Sequence, residues 1–274
     1  MKIENSGVER IAGVFRRDGR AALMPYFTIG YPDYETSLDI IAACCEAGAD
    51  LMELGVPFSD PLADGPTIQR STQVALAGGM TVGRCLQAVR DLRMRGIETP
   101  FLLMGYINPA LAFGLERYAR EAAEAGADGF IVPDLPPDEA GEVSAHCERQ
   151  GLGLVFLVAP NSTPERIELV VERSNPFVYL VSLTGVTGAR TDLPANLATF
   201  IDKVATFNPG GKPLAIGFGI ATGEQAAAVG KVADGVIVGS ALVDVVARAI
   251  EAGEPAAEAA GRFVRELSGA MEDA

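Results

Sequence analysis

Several residue types that catalytic and binding sites often require are scarce in this 274-residue chain. Its one histidine, His146, excludes a polyhistidine metal site and a histidine relay, and we expect no metal. Four cysteines, Cys44, Cys45, Cys85 and Cys147, form no CxxC pair, which is typical of reduced thiols. No apolar run approaches the roughly 18 residues that cross a bilayer, and the N-terminal stretch has no signal-peptide core. The sequence therefore predicts a cytoplasmic protein.

Positive charge is also scarce, with 22 Lys and Arg against 36 Asp and Glu and a net charge of -14. This balance repels phosphate backbones and anionic lipids, which argues against a general nucleic-acid or membrane binder. Hydrophobic residues make up 49% of the chain and charged residues 21%, the composition of a packed globular protein. No flexible linker or charge block divides the chain, so we expect one domain over residues 1–274.

Eight short apolar runs alternate with alanine-rich helical stretches. Most of these runs lack polar alternation, which is typical of parallel strands covered on both faces. The predicted strands are Ala22–Ile29, Asp50–Leu54, Pro100–Met104, Gly129–Val132, Leu154–Val158, Phe177–Val181, Pro213–Ile216 and Gly235–Val238. Before the first of them, Val8, Ile11 and Phe15 share one face of an extra N-terminal helix that is suited to plug the bottom of a barrel.

One five-residue string, Glu-Ala-Gly-Ala-Asp, occurs at 46–50 and again at 124–128, each time just before a predicted strand. It predicts a helix C-terminus, a glycine cap and a short loop into the strand. Eight strand–helix units in roughly 250 residues then predict a single α/β domain, a (β/α)8 TIM barrel. The alternative is a doubly wound open sheet. Such a sheet often carries a glycine-rich dinucleotide fingerprint, and the nearest match here is Gly217–Gly223. Its glycine spacing is wrong by one residue, and it follows a late strand rather than opening a βαβ unit.

In a barrel, functional residues belong at the C-terminal ends of the strands. Glycine turns follow the predicted strands six, seven and eight, at Gly185–Gly188, Gly217–Gly219 and Gly239–Ser240. One such turn commonly does no more than end a strand. Three together would aim several backbone N–H groups and a helix N-terminus at one point, which binds phosphate without lysine or arginine. The pattern therefore predicts a phosphate site in an acidic protein.

Elimination leaves carboxylates as the catalytic groups. No lysine lies at a strand's C-terminal end, which removes a Schiff-base mechanism, and His146 lies in an outer helical stretch. Glu53 interrupts an apolar strand near the barrel mouth, where a charge is costly unless it is paired or used. It is either catalytic or satisfied by backbone and hydroxyl donors. Asp60 and Asp64 follow on the next loop, as catalytic groups or as turn formers.

The segment Glu53–Gln69, with the sequence ELGVPFSDPLADGPTIQ, closely resembles the signature of the tryptophan synthase alpha subunit family. Agreement continues through Leu103–Asn108, Ala127–Pro133, Tyr179 with Gly185–Gly188, Gly217–Ile220 and Gly239–Ser240, so it covers nearly the whole chain. The resemblance implies a lyase in tryptophan biosynthesis that cleaves indole-3-glycerol phosphate to indole and glyceraldehyde 3-phosphate. It implies a retro-aldol reaction with no metal or organic cofactor in this chain.

The resemblance also implies roles for particular residues. Glu53 matches the proton shuttle, Asp64 the carboxylate that accepts the indole N–H, and Tyr179 the family's active-site tyrosine. The apolar pocket around the indole is matched by Tyr26, Tyr106, Ile131 and Phe218, and the phosphate cradle by Gly188, Gly219, Gly239 and Ser240. One position departs from well-known relatives, which carry arginine where this chain has Leu183, just before the Thr184–Gly188 loop. The contacts and timing of that loop are therefore open here.

The family pairs with a pyridoxal phosphate-dependent beta subunit that receives the indole, and the resemblance implies an alpha2beta2 heterotetramer. The Pro57–Asp64 loop, with Phe58, is the segment we expect to contact that partner. Three alternatives stay open. A free-standing indole-glycerol phosphate lyase would have the same site, and another phosphate-binding barrel isomerase would share the glycine turns but lack the Glu53–Asp64 segment. A non-catalytic scaffold would tolerate Glu53→Gln without loss.

Overall fold

The computed structural model describes residues 6–15, 20–181, 195–217 and 219–273. Within these residues the strands are β1 (Ala22–Thr28), β2 (Met52–Gly55), β3 (Phe101–Met104), β4 (Gly129–Ile131), β5 (Gly153–Val155), β6 (Leu157–Val158), β7 (Val178–Val181), β8 (Leu214–Gly217) and β9 (Gly235–Val238). The helices are α1 (Gly7–Val14), α2 (Tyr34–Glu46), α3 (Pro66–Ala77), α4 (Val82–Met94), α5 (Ile107–Phe113), α6 (Leu115–Ala125), α7 (Gly141–Gln150), α8 (Pro164–Arg173), α9 (Ala195–Thr206), α10 (Gly223–Gly230), α11 (Ser240–Ala252) and α12 (Ala256–Glu272). None of the helices in these ranges combines the length and the apolar character that a bilayer span requires.

The strands form one parallel sheet in the order β5-β4-β3-β2-β1-β9-β8-β7-β6. Its two end strands, β5 and β6, are consecutive in the chain with only Phe156 between them, so the sheet closes into a barrel. The predicted barrel is confirmed, with one correction: the fifth predicted strand, Leu154–Val158, is two short strands. The physical reason is a tertiary hydrogen bond, because the Phe156 N–H donates to the Ser174 hydroxyl at 3.0 Å instead of continuing the ladder to β4.

Side chains at alternate strand positions point into the barrel and form its inner core, as the two-residue period of a strand requires. The inner cluster includes Met24, Leu51, Leu102, Ile131, Val155, Phe177, Tyr179, Ala215 and Ile237. Helix α1 packs against the lower end of this cluster, with Ile11 fully buried and the Phe15 ring 5.3 Å from that of Phe177. Because α1 covers the apolar floor of the barrel, the predicted N-terminal helix and its position are confirmed.

The repeated Glu-Ala-Gly-Ala-Asp string ends α2 and α6, as predicted. Gly48 and Gly126 have φ of +111° and +94°, a left-handed conformation that side chains other than glycine's rarely adopt. The final aspartate of each repeat has a further role. Asp50 accepts a backbone N–H of β1 at 2.8 Å, and Asp128 accepts one of β3 at 2.7 Å. The repeat therefore also ties each incoming strand to its neighbour at the bottom of the barrel.

Candidate active site

A cavity of about 690 Å³ opens at the C-terminal ends of the strands, where a barrel places its functional loops. The predicted site residues that line it are Tyr26, Glu53, Asp64, Tyr179, Gly219, Gly239 and Ser240. These residues come from both halves of the chain and from five different strand–loop junctions, those of β1, β2, β7, β8 and β9. Barrel closure therefore brings together most of the predicted site within the described residues.

Glu53 lies on β2, two residues after the inward-facing Leu51, and so points into the barrel one layer nearer the mouth. Its side chain is fully buried, and neither carboxyl oxygen has a hydrogen-bond partner in the part of the chain that the structure describes. Burial raises its pKa to about 8, so the group is mostly protonated at neutral pH. The alternative interpretation of Glu53, a carboxylate satisfied by backbone or hydroxyl donors, finds no such donor among the described residues.

Asp64 lies on the loop between β2 and α3, two residues before the helix begins. Burial raises its pKa to about 6, while a hydrogen bond with the Tyr106 hydroxyl acts in the opposite direction. At neutral pH it is therefore mainly a carboxylate, the opposite of Glu53. The Gln69 amide donates to its backbone carbonyl at 2.8 Å, which links the loop to α3. Asp60 is exposed, accepts the Ser59 hydroxyl at 2.5 Å, and does not line the large cavity.

Two buried tyrosines, Tyr26 and Tyr179, complete the inner wall of the cavity. Burial, then the charges of Glu53 and Asp64, raises the pKa of Tyr179, so this tyrosine lies within electrostatic reach of both carboxyl groups. The Tyr179 hydroxyl occupies space that a side chain at position 217 would fill, since a Cβ on Gly217 would lie 2.8 Å from it. Both tyrosines are neutral at working pH, and the Tyr26 hydroxyl shares a hydrogen bond with the Thr28 hydroxyl at 3.3 Å.

Two residues predicted for the indole pocket, Tyr106 and Ile131, are absent from the cavity lining. Tyr106 accepts the Ala63 N–H at 2.9 Å, and its ring centroid lies 5.4 Å from that of Phe58. It lines a neighbouring pocket of about 360 Å³ and reaches the large cavity through its bond to Asp64. Ile131 is fully buried in the inner cluster, away from the cavity lining.

Three predictions fall outside the described residues: Phe218 in the apolar pocket, Gly188 in the phosphate cradle, and Leu183 with the Thr184–Gly188 loop. They stay predictions.

The rim of the cavity is suited to an anion where α11 begins. Gly239 precedes this 13-residue helix and offers no side-chain cap, whereas Thr222 caps the neighbouring α10 by accepting the Gln225 N–H at 3.3 Å. The first N–H groups of a helix have no intrahelical acceptor and carry the positive end of its dipole. The first two residues of α11, Ser240 and Ala241, line the cavity beside Gly219, whose φ of +47° favours glycine.

Several lining residues were not among the predicted site residues, and Arg166 is the charged one among them. Arg166, at the start of α8, lines the cavity together with Ser162. A signal was available, since the Pro160–Pro164 segment follows the fifth strand and the first turn of the next helix must lie near the mouth. No group of three or more His, Cys, Asp or Glu side chains suited to a metal occurs in residues 6–15, 20–181, 195–217 and 219–273.

Comparison with known proteins gives a consistent result. Residues 14–272 match the family model described as tryptophan synthase alpha chain. The chain is 49% identical over 265 residues to the tryptophan synthase alpha chain of Roseiflexus sp. strain RS-1, covering 96% of this chain and 100% of that one. It is 48% identical to the tryptophan synthase alpha chain of Chloroflexus aggregans, covering 97% and 99%.

Solved structures agree. Tryptophan synthase subunit alpha from Legionella pneumophila superposes with a TM-score of 0.87 at 36% identity, over 98% of this chain and 97% of that chain. A chain of tryptophan synthase from M. tuberculosis superposes with a TM-score of 0.85 at 37% identity, over 97% and 98%.

Proposed function

The chain belongs to the tryptophan synthase alpha chain family, lyases of tryptophan biosynthesis that cleave indole-3-glycerol phosphate, and we propose that it does so with Glu53 and Asp64. The observation that carries the residue assignment is the state of Glu53. Its fully buried carboxyl has no hydrogen-bond partner in the described part of the chain, has its pKa raised to about 8, and lies on the wall of a substrate-sized cavity. A carboxyl in that setting is costly to keep and suited to move a proton.

In the proposed steps Glu53 gives up one proton and regains another, so the enzyme ends in its starting state. The indole leaves only when its C3 carries a proton, and protonated Glu53 donates that proton. The resulting cation is centred on the indole nitrogen, whose N–H points to the carboxylate of Asp64 and is stabilised there. Glu53, now ionised, accepts the proton of the glycerol hydroxyl as the carbon–carbon bond breaks. Indole and glyceraldehyde 3-phosphate form, and Glu53 is protonated again.

The cavity suits both ends of this substrate. Its inner wall is aromatic and aliphatic, with Tyr26, Tyr179 and Leu157 beside the two carboxyl groups, and this wall receives the indole. The rim at Gly239 and Ser240 supplies backbone N–H groups and the N-terminus of α11 for the phosphate. A volume of about 690 Å³ is within the usual range for small-molecule sites.

We further propose that this cytoplasmic chain needs no cofactor and passes indole to a beta subunit that holds pyridoxal phosphate, in an alpha2beta2 assembly. What supports a partner at the β2–α3 loop is the exposure of its apolar residues. Leu62 is 94% exposed and lies two residues before Asp64. A partner that covered Leu62 would order the loop and hold Asp64 in place, which raises the lyase rate.

The test is to incubate the purified chain with indole-3-glycerol phosphate and to measure indole and glyceraldehyde 3-phosphate. We expect equal amounts of both products, without added metal or pyridoxal phosphate. Absence of both products, alone and with a beta subunit, would overturn the assignment.

Adding the beta subunit distinguishes two alternatives, a free-standing lyase and a subunit of the synthase. A subunit releases indole faster in the complex, and a phosphate-bearing substrate analogue tightens its association in calorimetric titration. A free-standing lyase shows neither change.

A further inference from the structure

Arg166 is the one lysine or arginine among the described residues that line the large cavity. It is the third residue of α8, on the loop side of the barrel, and its side chain is 38% exposed. One guanidinium nitrogen, Nη1, donates to a carboxylate oxygen of Asp138 at 2.7 Å. Asp138 precedes α7 on the neighbouring loop and is 60% exposed. The pair therefore lies at the solvent edge of the mouth.

A dianionic substrate meets an unfavourable field as it approaches this protein. The chain carries a net charge of -14, and the cavity itself holds Asp64 as a carboxylate. The N-terminus of α11 offers only a partial positive charge, which falls off within about one helical turn. A full positive charge at the mouth acts over about 8–10 Å at physiological salt. Arg166 is placed to supply it.

We propose that Arg166 is a positioning residue that attracts the phosphate of the substrate into the cavity, and that Asp138 weakens this attraction by pairing with it. The inference rests on the proposed function, because it assumes a phosphate-bearing substrate. The competing role is structural, in which the ion pair only ties the loop before α7 to α8. The two roles predict opposite effects of removing the Asp138 charge on substrate binding. For attraction, removing Arg166 weakens binding and removing the charge of Asp138 strengthens it, whereas for a structural tie both changes are harmful.

The experiment compares Arg166→Gln, Arg166→Lys and Asp138→Asn with Arg173→Gln as a matched control. Arg173 ends the same helix, so its loss changes the net charge equally at a point away from the cavity. At low salt we expect Arg166→Gln to raise KM about 3- to 10-fold with kcat within about two-fold, because the lost attraction acts before the chemical step. Asp138→Asn should lower KM about two-fold, Arg166→Lys should retain most of the wild-type value, and Arg173→Gln should match wild type.

Salt and a binding assay complete the test. In about 0.5 M NaCl the differences in KM should shrink to less than about two-fold, because the charges are then screened. Calorimetric titration with glycerol 3-phosphate should show the same order of affinities, while binding of uncharged indole should not change. Equal harm from Arg166→Gln and Asp138→Asn, independent of salt, would overturn the proposal in favour of a structural tie. Were wild type to release no indole, the proposed function would fail, and the glycerol 3-phosphate titration would still decide the role of Arg166.

Discussion

Asp50 and Asp128 lie at the bottom of the barrel, and Glu53 and Asp64 lie at its mouth. At the bottom both carboxylates are buried and fully engaged: Asp128 accepts a backbone N–H of β3 at 2.7 Å and contacts Arg93 at 2.8 Å. Asp50 likewise accepts the Leu23 N–H of β1 at 2.8 Å and contacts the Arg20 guanidinium at 2.7 Å. At the mouth Glu53 is as deeply buried and, among the described residues, has no partner.

The difference shows how one fold uses the same chemical group for two purposes. Backbone and arginine donors stabilise the negative charge of a buried carboxylate, and the carboxylate then holds neighbouring strands in register. A buried carboxyl without donors is stable only when protonated, so its pKa rises toward the pH at which it can exchange a proton. The bottom of the barrel therefore serves stability, and the mouth keeps a costly group for chemistry.

The largest expected effect is loss of activity on Glu53→Gln. The amide keeps the shape of the side chain but exchanges no proton, so kcat for indole release should fall by about 10²–10⁴-fold. Steady-state indole release measures this, and circular dichroism checks that the fold is retained. Asp60→Asn, a change of the exposed neighbour on the following loop, is the control and should keep most of the activity. Near-normal turnover in Glu53→Gln would remove Glu53 from the mechanism.

At the other end of the barrel, Asp128→Asn should cost stability rather than activity. The change leaves Arg93 without its buried partner, and breaking one side of a buried ion pair costs about 3 kcal/mol in the free energy of unfolding. Urea denaturation measures that free energy. Glu124→Gln, which removes an exposed charge 3.8 Å from Arg120, should leave it unchanged. A loss of kcat in folded Asp128→Asn would contradict the separation between the two ends.

The unpartnered state of Glu53 also predicts how stability depends on pH. Its pKa rises from 4.5 when unfolded to about 8 when folded, so the folded state holds an extra proton between these values. Wild-type stability should therefore fall as pH rises through this window, by about 1.4 kcal/mol per unit from this group. Relative to wild type, Glu53→Gln should gain about 2 kcal/mol in unfolding free energy between pH 5.5 and 7, measured by denaturation. A constant difference would show that Glu53 is already ionised in the folded state across this pH range.

The smallest of these effects concerns the phosphate rim. Gly239→Asp places a carboxylate where the N–H groups of α11 face the cavity, and it should weaken binding of the substrate about ten-fold or more. Gly239→Asn is the matched control, since it adds the same atoms without the charge. A Cβ at this position has its nearest contact at 3.6 Å, so the backbone accepts both changes. Equal affinities of the two variants, measured by titration, would place the phosphate elsewhere.

Much of the fold was predictable because its signals are local. Continuous apolar runs predicted parallel strands, and the repeated Glu-Ala-Gly-Ala-Asp string predicted where α2 and α6 end. The split of the fifth strand at Phe156 was not predictable, because it depends on a hydroxyl 18 residues away at Ser174. Arg166 was missed although its place in the first turn after the fifth strand was a signal, because in sequence it is one charge on an ordinary amphipathic helix.

The sequence by itself determined the alternation of strands and helices, the position of Glu53 in an apolar strand, and the glycines at the ends of the late strands. These follow from residue type and spacing, which act over a few neighbours. Only the tertiary structure decided that none of the described residues gives Glu53 a hydrogen-bond partner, that Asp64 is half-buried beside Tyr106, and that Arg166 lines their cavity. Burial and proton affinity depend on groups that meet only when the barrel closes, because desolvation and hydrogen bonding are set by neighbours in space rather than along the chain.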